Sequence, residues 1–76
     1  MREFLEYVAK QLVDTPDSVQ IMEEEKDNKV IFKIKVAQAD IGKIIGKQGR
    51  TAQSIRVLLS AVAAKSGKRA ILEVED

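Results

Sequence analysis

The chain has no cysteine and no histidine among its 76 residues. Without cysteine no disulfide can brace a small core, and without either residue a structural zinc site loses its usual ligands. The missing histidine also removes the side chain best suited to proton transfer near neutral pH. Serines, lysines and carboxylates show no spacing that builds a nucleophile with its base, so an enzyme is disfavoured and no catalytic residue, metal or cofactor is expected. Aromatic residues are only 4% of the chain: Phe4, Tyr7 and Phe32. No apolar run approaches the roughly 20 residues that span a bilayer. Glu3 and Glu6 interrupt the apolar residues at the N-terminus, which argues against a signal peptide. A cytoplasmic protein is expected, with no membrane partner, and the lack of cysteine fits a reducing compartment.

What is present describes a foldable domain: 45% hydrophobic and 33% charged residues, richer in apolar side chains than a disordered tail. The length suits a single domain over residues 1–76. A chain this short buries only about 60% of the surface its unfolded form exposes, so partners would help it.

Another absence is local. Residues 1–40 carry six bases and nine acids, whereas residues 41–72 carry seven bases and no acid, and three acids follow in residues 73–76. The net charge of +1 hides this segregation. A basic stretch inside an otherwise acidic chain gives a local positive field suited to an anionic partner. The same charges also suit a solvated helix face.

Phe4, Leu5, Val8, Ala9, Leu12 and Val13 repeat at the spacing of one face of a helix, which Pro16 stops. Val19 and Ile21 begin a strand, and Asp27 with Asn28 can turn it into a hairpin. Val30, Phe32, Ile34 and Val36 then alternate with Ile31, Lys33 and Lys35, the period of a half-buried strand. Asp40 can cap a short helix through Ile41, Lys43, Ile44 and Ile45. A longer helix with a core face of Ala52, Ile55, Leu58, Leu59, Val62 and Ala63 ends at Gly67, and Ala70, Leu72 and Val74 form a third strand. The order helix, strand, strand, helix, helix, strand predicts an α+β fold. Its three-stranded mixed sheet has the last strand parallel to the second and three helices on one face.

Between the last two helices, Gly46 and Gly49 bracket Lys47 and Gln48, and Arg50 follows at once. A glycine pair at this spacing can simply permit a sharp turn. It can also let a sugar-phosphate chain approach the peptide backbone, with the amides near Arg50, Thr51 and Ala52 opening the next helix toward a phosphate. The nucleotide-binding glycine-lysine loop does not fit. Only three residues separate Gly42 from Gly46, and Gln48 stands where Ser or Thr is required. The dinucleotide fingerprint fails for want of its first glycine pair and opening strand.

The run Ile44, Ile45, Gly46, Lys47, Gln48, Gly49, Arg50, with Ile55 beyond it, resembles the signature of the KH family of single-stranded nucleic-acid-binding domains. The element order is similar to the bacterial type II KH arrangement. The stretch from Leu12, Val13, Asp14 and Pro16 through Asp40, Ile41, Gly42 and Lys43 to Thr51 and Ala52 resembles the small stand-alone KhpA proteins, a likeness that covers nearly the whole chain. Ala52 departs from the larger aliphatic residue of many KH domains and agrees with that subgroup. The resemblance implies a groove clamping about four nucleotides, with Gly46, Lys47, Gln48 and Gly49 gripping phosphates. Ile41, Ile44, Ile45 and Ile55 would form its floor, though each also suits the core and at least half of them are expected there; Lys43 and Arg50 would flank it, and Thr51 completes the RNA-binding set. No aromatic residue lies near the loop, so bases would meet aliphatic side chains and backbone instead of aromatic rings.

On the long helix, Val57, Ala61 and Ala64 follow i, i+4, i+7 spacing away from the core set, with Ser54 at their edge. They suit either a self-association or partner surface, or an alanine-rich helix chosen for propensity. The resemblance implies pairing as a homodimer or with a larger Jag-type KH protein (KhpB), which would raise avidity for RNA. The expected function is non-enzymatic binding of single-stranded RNA in post-transcriptional regulation, as an RNA chaperone, without a small-molecule substrate. The competing reading is a protein-interaction subunit with a vestigial groove.

Overall fold

A computed structural model of the chain describes residues 1–75. Helix α1 spans Arg2–Leu12, strands β1 and β2 span Gln20–Lys26 and Lys29–Lys35, helix α2 spans Ile41–Ile45, helix α3 spans Arg50–Ala64, and strand β3 spans Arg69–Glu75. The element order and the parallel last strand are as the sequence predicts. β2 is central, antiparallel to β1 and parallel to β3.

α1 presents Leu5 and Ala9 to the core, with Val8 and Leu12 half-buried beside them. It places Glu3 in its first turn and Lys10 in its last, as the helix dipole favours. Lys10 also pairs with Glu6 one turn earlier, at 3.1 Å. The helix stops at Leu12, before the proline. Val13 is already extended and enters the core from outside the helix, and Pro16 opens a short 3-10 turn over Pro16–Ser18. Phe4, expected on the buried face, is exposed, because α1 packs chiefly on β1 at one margin of the sheet and leaves its outer flank uncovered.

The hairpin turns through Asp27 and Asn28, with Asp27 at φ +54°. On β2 the alternation is realised as expected: Val30, Phe32 and Ile34 are buried, while Ile31 and Lys33 on the other face are half-buried. Ile21 of β1 and Leu72 of β3 lie in register on the same covered face as Ile34 and Phe32. Removing Phe32, fully buried at the centre of this layer, would cost roughly 3–5 kcal/mol as an alanine cavity.

α3 packs along β3 and against α2, which in turn touches α1. Its buried residues are Ala52, Ile55, Leu59 and Ala63. Leu58 and Val62, expected in the core, are 50% and 46% exposed. The reason is position: β3 is the margin of the sheet, so α3 covers it with a narrow stripe. Gly67 takes φ +70° just beyond α3, and the short link Lys65–Lys68 returns the chain antiparallel into β3. The N-terminus of α3 therefore lies at the end of the sheet where β3 finishes.

Candidate nucleic-acid interface

α2 ends at Gly46, whose amide donates to the Gly42 carbonyl at 2.8 Å and whose backbone turns to φ +78°, ψ 176°. A Cβ there would overlap the Thr51 hydroxyl and lie 2.8 Å from the Thr51 backbone nitrogen. The first turn of α3 thus packs directly on a residue without a side chain. Gly49 needs only its dihedrals, φ +74°, ψ 10°, since nothing lies within 4 Å of a Cβ built on it. Between them Gln48 is held at φ 58°, ψ 27°, a left-handed conformation that costs a non-glycine residue roughly 1–2 kcal/mol. The Gly49 amide donates to the Gly46 carbonyl at 3.2 Å, closing the turn and leaving the Lys47 and Gln48 side chains exposed at its tip.

α3 starts with no side-chain cap and no acid in its first turn. The Arg50 amide is already taken by the Lys47 carbonyl, so it is not among the free donors that the sequence reading placed there. Lys47 and Arg50 are exposed and form no ion pair among the described residues. Both remain available to an anion.

Lys43 is different. Its ammonium is held by Asp14 and lies 3.6 Å from Asp40. Its pKa is raised above the ordinary lysine value, first by the hydrogen bond to Asp14. The residue expected beside the groove thus also ties α2 to the segment after α1. Asp40 completes the tie. Instead of capping α2, its buried carboxylate accepts the Thr15 backbone N–H at 3.1 Å.

The isoleucines divide by helix geometry. Ile44 and Ile55 are buried in the core and support the surface from beneath; they do not line it. Ile41 is half-buried against the core, and Ile45, 38% exposed, is the one turned outward. Thr51 is half-buried against Gly46.

Beyond the turn, an open groove of about 500 Å³ runs between α3 and the outer border of β3. Gln53, Arg56, Val57 and Ser60 form one wall and Arg69, Ala70, Ile71 and Leu72 the other. Arg56 bridges it, Nη2 donating to the Leu72 carbonyl at 3.4 Å. The sequence reading missed these residues. Their signal was the polar series Gln53, Arg56 and Ser60 on the helix that precedes a marginal strand.

Of the stripe foreseen on α3, Ser54, Val57, Ala61 and Ala64 are all exposed, and Val57 also lines the groove. With Leu58 and Val62 beside them, the uncovered apolar face is wider than the stripe.

Comparison with known proteins meets this geometry. The family profile described as KhpA/KhpB, KH domain matches residues 2–74. The chain belongs to the KhpA/KhpB KH-domain family. Its fold is accordingly the type II KH arrangement, with the Gly46–Gly49 turn between α2 and α3. The chain is 47% identical over 74 residues to the RNA-binding protein KhpA of Clostridium acetobutylicum, covering 97% of this chain and 99% of that one. It is 49% identical to the RNA-binding protein KhpA of Chlamydia pneumoniae, covering 97% and 95%. Against the RNA-binding protein KhpA of Aquifex aeolicus it is 42% identical, covering 97% and 94%. No solved structure matches the chain.

Proposed function

We propose that this KhpA/KhpB-type chain is a non-enzymatic, cytoplasmic module that binds single-stranded RNA in post-transcriptional regulation, including as an RNA chaperone. The observation that carries this reading is the Gly46–Gly49 turn, which exposes Lys47 and Gln48 at its tip, with Arg50 beside it in no ion pair among the described residues. The relatives' name, RNA-binding protein KhpA, supports the same partner. Phosphates settle against Gly46, Lys47, Gln48, Gly49, Arg50 and Thr51, and bases turn toward Ile45, Ile41 and the groove between α3 and β3. Ile44 steadies that floor from below, and Lys43 acts on the strand only through the fold it ties together.

For three or four neutralised phosphates, log K falls with log salt at a slope of roughly −2 to −3. Changing Lys47 and Gln48 together to Asp should lower affinity for every RNA sequence by at least roughly tenfold in an anisotropy titration, with an unchanged circular dichroism spectrum. Undiminished binding by a folded variant would sink the assignment.

The exposed apolar face of α3 favours a second element of the reading. Ser54, Val57, Ala61 and Ala64, with Leu58 and Val62, form a surface for a second copy or for a larger KH partner of the Jag type (KhpB). Two linked grooves gain avidity because the second contact is intramolecular. Ala61→Asp should yield a monomer by light scattering, and an unchanged mass would remove this surface from the account. Should the Lys47/Gln48 variant bind RNA normally while Ala61→Asp loses its partner, the chain is a protein-interaction subunit instead.

A further inference from the structure

The open face of the sheet carries charged residues in cross-strand rows, and the two ends of that face treat them differently. Toward the Gly46–Gly49 end, the register sets Lys33 beside Glu73 and Lys35 beside Glu75. At the hairpin end, it sets Lys26, Lys29 and Arg69 side by side across all three strands. All three are exposed, and none forms an ion pair among the described residues. Glu25 is engaged by Lys68 on the covered side of the sheet, so it does not relieve the row. Glu24 lies in the next row, opposite Ile31, and Asp27 sits in the turn.

Directly opposed like charges destabilise a sheet. Here the repulsion is also held rigid, because the Arg69 amide donates to the Asn28 carbonyl at 2.8 Å and fixes the hairpin turn to the start of β3. Arg69 belongs to the groove wall as well. α3 has 15 residues, about 22 Å at 1.5 Å per residue. A strand gripped at the glycine turn and laid along the groove would therefore emerge at Arg69, with Lys29 and Lys26 next across the sheet.

We propose that the Lys26, Lys29 and Arg69 row is a second phosphate contact that carries the RNA path out of the groove and around the hairpin end. The inference rests on the RNA-binding reading and extends it: the chain holds a strand longer than the about four nucleotides of a KH groove. An acidic protein surface has a matching charge, but continuity with the groove through Arg69 favours RNA.

Lys29→Glu is the informative variant, since it places an acid between two bases. Anisotropy titrations would use oligoribonucleotides of four and of about twelve nucleotides, the longer being three times the reach of a KH groove. The longer RNA should bind the variant roughly tenfold more weakly than wild type, with a salt slope shallower by about one to two. Affinity for the four-nucleotide RNA should stay unchanged, and the melting temperature of the free variant should rise as the repulsion is relieved. Equal affinity of both proteins for the longer RNA, or an equal loss on both lengths, would overturn the extension while leaving the glycine-turn site standing. Failure of wild type to bind either RNA would overturn the RNA-binding reading and the extension with it. If a polyglutamate peptide binds as tightly as the longer RNA, and does so through Lys29, the row serves an acidic protein and the RNA path ends at the groove.

Discussion

Among the described residues, two tight turns hold a non-glycine residue in the left-handed region, Asp27 at φ +54° and Gln48 at φ +58°. In the hairpin, the turn is two residues closing an antiparallel pair, and the demand on the sequence is only for residues that tolerate positive φ. In the helix-to-helix turn, Gly46 faces the Thr51 backbone nitrogen closely enough that no side chain fits. One turn is set by dihedral preference and the other by contact with the next helix. Exposed cations without an ion pair among the described residues flank both turns, Lys26 and Lys29 at the hairpin and Lys47 and Arg50 at the helix-to-helix turn, so close packing against the next helix, and not charge, sets the two apart.

Gly46→Ala tests the contact most severely. The added Cβ meets backbone as well as strained dihedrals, so the expected cost is roughly 2–4 kcal/mol. Thermal unfolding reads this as a large drop in melting temperature, and a wild-type melt would show that Thr51 gives way freely. Gly49→Ala separates dihedral from contact, because the space there is open. It should cost only about 1–2 kcal/mol, clearly less than its neighbour, and parity between the two would erase the distinction drawn above. The gentlest comparison places glycine in both turns. Gln48→Gly and Asp27→Gly each relieve a left-handed side chain while loosening the unfolded chain, and each should shift stability by about 1 kcal/mol or less. Affinity for a four-nucleotide RNA should move only at Gln48; an equal change at Asp27 would deny the helix-to-helix turn its special role.

Local periodicity made much of this fold legible. The alternation on β2 depends on its own residues, and the parallel β3 follows from two helices intervening between the strands. The extent of α3's core face did not follow from its periodicity. A helical repeat marks Leu58 and Val62 as apolar neighbours of Leu59, yet only the width of the sheet beneath decides which are covered, and β3 is its margin. Phe4 on α1 failed for the same reason. At the site, the glycine turn was legible because its chemistry is contiguous in the chain. The sequence offers Lys43 as a groove cation and carries no sign of its pairing with Asp14, 29 positions earlier, because only the fold brings the two together. The groove itself joins residues of α3 and β3 and has no continuous signature. Ile44 and Ile45 show the finest grain of the problem: adjacent on one helix, they point about 100° apart at 3.6 residues per turn, one inward and one outward.

The Arg56 contact has a consequence for solubility. β3 pairs with β2 on one side alone among the described residues, so its outer border presents peptide groups that a strand from another molecule could zip onto. By donating to the Leu72 carbonyl, Arg56 occupies one acceptor of that template at mid-strand and sets a charged side chain over it, a feature that disfavours strand addition at an uncovered border.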